Sequence, residues 1–219
     1  MDGRFQSSQS NRARSDEGLL RISQGDAMVD QAELGRALFY GIRKKPNYRK
    51  AFPLLLQAAE EGRVHWQYLA GYALANGLGV KRDPKQASKW YERAGRRGHI
   101  GALFNLALMY ERGRGVRKNL RKAFALYKRA ALEGDREAQV NLGIAYHDGL
   151  GTPKNLAQYI RWTKKAAGKR DSKGQFNLGL AYFEGDGLPK NLRLARIWLE
   201  RAAEKGNKNA ARLLKSPNP

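Results

Sequence analysis

The 219-residue sequence predicts an all-α fold, a solenoid of about five 36-residue helix-turn-helix repeats ending in a C-terminal capping helix. Three observations carry that reading. Glycines recur at one fixed step, on Gly77, Gly113, Gly149 and Gly185 and again on Gly79, Gly115, Gly151 and Gly187. The same step joins Asp83 to Asn119, Asn155 and Asn191, Trp90 to Leu126, Trp162 and Trp198, and Ala94 to Ala130, Ala166 and Ala202. Within a period the apolar residues fall at helical spacing, as in Ala102, Leu103, Leu106, Ala107 and Tyr110. Self-similarity of this length marks stacked units that bury their apolar faces against one another.

Residues 1–26 are rich in Ser, Gln, Arg and Gly and poor in apolar side chains, too few to offset the entropy of ordering, so a mostly disordered tail is expected. Within it Leu19, Leu20 and Ile22 form a short apolar turn able to cover the open edge of the first repeat. The repeat array is expected over residues 27–215, as units 28–63, 64–99, 100–135, 136–171 and 172–207, with a cap at 208–215 and a frayed tail at 216–219. The first unit holds register at Leu34, Gly35, Leu38, Gly41, Asn47, Ala51, Leu54, Ala58 and Gly62, but Arg43 stands where its second loop glycine belongs.

In each unit a first helix (helix A) ends at Gly77, Gly113, Gly149 or Gly185, where glycine takes the left-handed conformation that closes a helix. A second glycine turns the chain, and Asp83, Asn119, Asn155 or Asn191 caps a second helix (helix B). The inward stripe of helix B is Ala87, Trp90, Tyr91 and Ala94 in one copy and Ala123, Leu126, Tyr127 and Ala130 in the next.

Charge is the compositional anomaly, +22 overall with a pI near 10.4. Residues 1–26 are neutral, and the five units carry +3, +5, +5, +4 and +2, so the excess peaks inside the array. The absence of cysteine excludes disulfides, thiolate metal sites and cysteine nucleophiles. A mean hydropathy of −0.69 with no long apolar run argues against a membrane span, and residues 1–26 do not read as a secretory signal. Cytoplasmic residence is therefore the expectation.

The motifs A-x-x-N-L-A/G-x-x-Y-x-x-G-x-G-V and N-x-x-x-A-x-x-W/L-Y-x-x-A-A-x-x-G resemble the Sel-one-like repeats, a subclass of tetratricopeptide-like helical hairpins, over residues 28–215. The resemblance implies a right-handed α/α superhelix, a non-catalytic scaffold or adaptor role, a bacterial source, and partners held on a concave face lined by helices A. Two departures fall in the fourth unit: Lys169, Arg170 and Asp171 replace its usual ending, and Tyr159 replaces a helix-B alanine. Looser packing of that unit, or a surface facing something, is expected there.

On the helix-A face Asn105, Asn141 and Asn177 form a polar row that suits the backbone of an extended peptide. The same amides serve equally as bridges between neighbouring repeats. Beside them lie Tyr72, Leu108, Ile144 and Leu180, then Ala73, Met109, Ala145 and Ala181, with Asn76, Arg112, Asp148 and Glu184 at the rim, completing the candidate groove. Basic ladders run elsewhere: Arg82, Lys118, Lys154 and Lys190 before the helix-B cap, thickened by Lys85, Arg121 and Arg193, and Arg93, Arg129, Lys165 and Arg201 near the helix-B end, thickened by Lys128 and Lys164. Each lysine alone reads as solvated surface, and the net excess is the informative part.

The G-x-G loops follow no strand, so they are turns rather than phosphate cradles. His65, His99 and His147 lack metal-ligand spacing, and no nucleophile or acid–base pair is visible, so no enzyme activity, metal or cofactor is expected. Trp90, Trp162 and Trp198 read as core, whereas Trp66 is open to either role. The leading expectation is a protein-interaction scaffold whose basic outer surface favours acidic partners. The alternative is a protein that binds nucleic acid or another polyanion without sequence specificity; a contact with anionic lipid ranks third, for want of an amphipathic anchor.

Overall fold

The computed structural model describes residues 30–42 and 45–216. The expected tail at 1–26, its apolar turn and Arg43 lie outside them. The described residues form eleven helices and no strand: α1 (Gln31–Tyr40), α2 (Tyr48–Glu60), α3 (Val64–Asn76), α4 (Pro84–Arg96), α5 (Ile100–Arg112), α6 (Leu120–Leu132), α7 (Arg136–Asp148), α8 (Leu156–Gly168), α9 (Ser172–Glu184), α10 (Leu192–Glu204) and α11 (Lys208–Leu213). Each helix packs chiefly on the one before it and the one after it, as a solenoid requires. Odd-numbered helices are helices A and even-numbered ones helices B, with α11 standing where a sixth helix A would begin.

The helix boundaries follow from caps. The Asn119 side chain accepts from the Lys122 N–H at 2.9 Å while its own N–H donates to the Tyr110 carbonyl at 2.8 Å, tying the start of α6 to the end of α5. Asn47, Asp83, Asn155 and Asn191 repeat both bonds in their own units. Such a cap contributes about 1 kcal/mol, and here it also fixes the angle of the hairpin.

Between the paired helices the contact residues are small. Ala94, Ala102, Ala130, Ala138, Ala166 and Ala202 have no exposed surface, which lets backbones approach and leaves Trp90, Tyr127 and Trp162 to fill the space around them. Leu142, also fully buried, contributes ~2 kcal/mol by leaving water. Arg93, Lys165 and Arg201 lie over the rings of Trp90, Trp162 and Trp198 at 4.7, 4.9 and 4.8 Å, each closing the outer side of an indole. Trp90 and Trp162 are core as expected, and Trp198 is half-buried.

Successive repeats are joined in two places. At the ends of α2, α6 and α8, carbonyls without an intrahelical partner are met from the next repeat. Gln67 Nε2 donates to Ala59 O at 3.2 Å, Gln139 Nε2 to Ala131 O at 3.1 Å, Lys169 Nζ to Gly134 O at 2.8 Å and Lys205 Nζ to Arg170 O at 3.0 Å, and the Arg97 guanidinium bonds Gly62 O. At the other end, each loop presses on the first turn of the preceding helix B. Gly115 has φ +72°, and a Cβ there would stand 2.3 Å from the Pro84 carbonyl, so glycine is required by both conformation and space. Gly79 and Gly151 make the same approach to Tyr48 and Leu120.

The fourth repeat is not loosened. The Tyr159 side chain is buried, with its hydroxyl donating to Asn177 O at 3.1 Å, so the larger residue fills space between repeats four and five. Lys169 serves the carbonyl bond above. Arg170, φ +59°, stands where Gly62, Gly98, Gly134 and Gly206 take φ between +79° and +94°, a conformation that side chains disfavour.

Candidate functional site

The helix-A face carries one half-exposed apolar position in each of repeats two to five, Tyr72, Leu108, Ile144 and Leu180, with Ile144 36% exposed. Phe104 and Phe176 flank that row and are also half-buried. Met109, expected in the groove, is only 7% exposed and packs in the core with Leu106 and Trp90. Its position on the helix turns it toward α4 rather than outward, so it is removed from the candidate surface.

The asparagines are engaged within the array. Asn105 lies beside the hydroxyls of Tyr68 in α3 and Tyr91 in α4, and Asn141 beside that of Tyr127 in α6, where each amide favours the ionised phenol against burial. Burial holds these phenols neutral, well above their ordinary range, so each amide serves a buried hydroxyl. The Tyr127 hydroxyl also donates to Glu111 at 2.5 Å. Asn177 takes part through its backbone carbonyl, and its side chain is half-exposed. Asn105 and Asn141 are half-buried, facing these hydroxyls on one side and the helix-A surface on the other. Arg112 is exposed at the rim.

Two histidine groups escaped the sequence reading. His99 Nδ1 accepts from the Ala102 N–H at 3.2 Å, which places the ring proton on Nε2, facing His65 Nδ1 at 3.3 Å. His99 stacks on Tyr68 at 4.3 Å, and burial lowers its pKa to about 4, so this ladder of rings is neutral. His147 differs. Its Nδ1 bonds Asp148, and its Nε2 lies 2.5 Å from Asp186 in the loop of the fifth repeat. Burial opposes charge on His147, but the two carboxylates outweigh it and raise its pKa. Tyr159, whose ring centroid lies 4.8 Å away, is pushed up to about 12 by burial and by Asp186 and Glu184. Adjacency to Asp148 was visible in the sequence; Asp186 was not, because it sits at the variable position between two loop glycines.

Trp66 resolves as structural, donating from Nε1 to Ala32 O at 3.1 Å beneath the Arg63 guanidinium. Arg82, Lys118, Arg121, Lys128, Arg129, Lys154, Lys164, Lys165 and Lys190 are all exposed, and none takes part in an ion pair among the described residues. They divide by other engagements. Lys165 covers Trp162 and Arg129 reaches the Gly95 carbonyl at 3.4 Å, so that ladder is partly occupied in joining the array. Among the described residues no group of three or more His, Cys, Asp or Glu side chains is placed to hold a metal, and no helix is long and apolar enough to cross a membrane.

Comparison with known proteins agrees with this architecture. A Sel1 repeat protein from Oxalobacter formigenes superimposes with a TM-score of 0.82 at 26% identity, over 94% of this chain and 83% of that one. A protective antigen of uropathogenic Escherichia coli displaying an SLR fold gives a TM-score of 0.50 at 27% identity, over 86% of this chain and 50% of its own length. A sel1 repeat protein from Klebsiella pneumoniae shares the fold with a TM-score of 0.52 at 22% identity, over 84% of this chain and 94% of that one. No curated protein matches the sequence. The Sel1 repeat model matches five times, at residues 30–62, 67–99, 100–135, 136–171 and 172–207, in step with the helix pairs described above. The chain belongs to the Sel1 repeat family.

Proposed function

We propose that the chain is a non-catalytic protein-interaction scaffold that seats an extended partner segment on the helix-A face. The row of Tyr72, Leu108, Ile144 and Leu180 carries this reading, one half-exposed apolar side chain in each of repeats two to five, flanked by the half-buried Phe104 and Phe176. A preformed row of this kind lowers the ordering cost of a bound segment, because the template itself does not rearrange. The rim changes along the array, from Asn76 and Arg112 to Asp148 and Glu184, which gives a bound segment a preferred direction. The basic loops and outer face add long-range attraction for an acidic partner.

The test is affinity purification with wild-type protein and with a Leu108→Glu/Ile144→Glu variant, after nuclease treatment, at about 0.15 M and about 0.5 M salt. A protein that survives nuclease and the higher salt but is lost from the variant supports the reading. A partner that leaves with nuclease, or that binds the variant equally, overturns it.

A further inference from the structure

The loops between helices A and B lie side by side, since each rests on the first turn of the preceding helix B: Gly79 on Tyr48, Gly115 on Pro84, Gly151 on Leu120. The cations flanking these glycines therefore form one continuous edge. Along it the charge is uneven. Residues 45–50 carry three cations and no acid, 77–86 three cations and Asp83, and 112–122 six cations and no acid. Past that point the edge is neutral, with Lys154 against Asp148 in 148–158, and Lys190 and Arg193 against Glu184 and Asp186 in 184–194.

The cations of the first three loops are all exposed, and none takes part in an ion pair among the described residues. Their structural engagements are few: Arg82 donates to Ala75 O at 3.1 Å, and Lys122 lies over the Tyr110 ring at 5.2 Å. Contrast the far ends of helices B, where Arg93, Arg97, Lys165, Lys169, Arg201 and Lys205 are tied to rings or carbonyls. Positive charge on the loop edge of repeats one to three is thus surplus to the fold.

We propose that this edge binds nucleic acid through its phosphate backbone, without reading sequence. The partner class follows from what the edge lacks. Among the described residues, Ile42 is the one exposed large apolar side chain on the loop edge of repeats one to three, so that edge offers no apolar wedge to a membrane and no apolar centre to a protein interface. A linear run of cations that recurs once per repeat is sufficient for a phosphate chain, because each contact releases a counterion and needs no pocket. Base edges go unread, since the edge presents flexible cations rather than a recognition helix.

The experiment titrates a fluorescein-labelled duplex DNA of about 20 base pairs into the full chain over a range of salt. About six phosphate contacts give a slope near −5 in log K against log salt. Arg117→Glu/Lys118→Glu/Arg121→Glu is expected to weaken binding at least ~30-fold at about 0.1 M salt and to bring the slope toward about −2. Lys89→Glu/Lys128→Glu/Lys164→Glu changes net charge equally at exposed sites elsewhere on helices B and is expected to cost less than about 3-fold. The same loop residues changed to Gln are expected to fall between, with circular dichroism of every variant unchanged. Four results overturn the proposal: no wild-type binding at about 0.05 M salt, equal weakening by the two charge-reversed variants, equal displacement by polyglutamate at matched charge, or tighter binding to anionic vesicles than to DNA.

Discussion

Repeats two and three and repeats four and five use the same turn and reach opposite electrostatic ends. In the loop of repeat three, Arg112, Arg114, Arg117 and Lys118 face no acid, while in the loops of repeats four and five Asp148, Glu184 and Asp186 offset Lys154 and Lys190. The backbones of these loops are nearly identical, with Gly115 and Gly187 both at φ +72°. Loop geometry is fixed by glycines and caps, and is indifferent to the side chains between them. The C-terminal pair of repeats uses that freedom for a cross-link, His147 between Asp148 and Asp186, and the N-terminal repeats leave it to unpaired cations. One part of the solenoid is joined to itself more tightly; the other presents charge outward.

The largest expected effect tests how far the two regions share a turn. Gly115→Ala forces a Cβ to 2.3 Å from the Pro84 carbonyl at positive φ and is expected to cost more than about 3 kcal/mol in urea denaturation. Gly187→Ala meets nothing nearer than Ile160 Cγ1 at 3.0 Å and is expected to cost about half as much. Equal losses would mean that backbone strain alone decides, and that the close approach in repeat three contributes nothing.

Arg170→Gly is expected to stabilise by about 0.5–1 kcal/mol, seen as a higher urea midpoint. It relieves φ +59° at a position where the other repeats carry glycine, and leaves the backbone carbonyl that accepts from Lys205. A lower midpoint would show that the Arg170 side chain holds repeats four and five together.

The histidine bridge gives the C-terminal region a pH dependence opposite in sign to that of the N-terminal one. Because the folded state raises the His147 pKa above its unfolded value of about 6.5, its contribution is fully present below about pH 6.5. It is lost as pH rises through the folded pKa. The side chain is 34% exposed, so solvent screening keeps the effect below about 1 kcal/mol. Asp186→Asn should therefore destabilise at pH 5.5 and matter little at pH 8.5; a difference independent of pH would remove the charge from the account. His99, held neutral by burial with a pKa lowered to about 4, works the other way, its burial costing stability as pH falls below about 6.5.

The smallest change restores a missing link. Arg97, Lys169 and Lys205 each donate to a carbonyl of the preceding repeat, and Glu133 stands at the equivalent place in repeat three. Glu133→Lys is expected to gain ~0.5 kcal/mol. No gain would assign those bonds to solvent competition.

The period, the all-α class, the caps and the family are legible in one dimension, because glycine φ, cap chemistry and helical apolar spacing are local properties that recur in register. The sequence also places the excess charge in the array, since charge is additive along a chain. What it could not decide was which polar residues the array consumes. Asn105 and Asn141 look like a peptide-reading row in one dimension, yet in the solenoid they meet the hydroxyls of Tyr68, Tyr91 and Tyr127. Met109 shares a stripe with surface residues but lies a fraction of a turn too far inward, and only packing against Trp90 reveals it. The pairing of His147 with Asp186, and the division of cations into those bound to carbonyls and rings and those left free, depend on which repeat surfaces touch. These features emerge on folding, because stacking sets contacts between residues about thirty-six apart, whose side chains vary while their backbone does not.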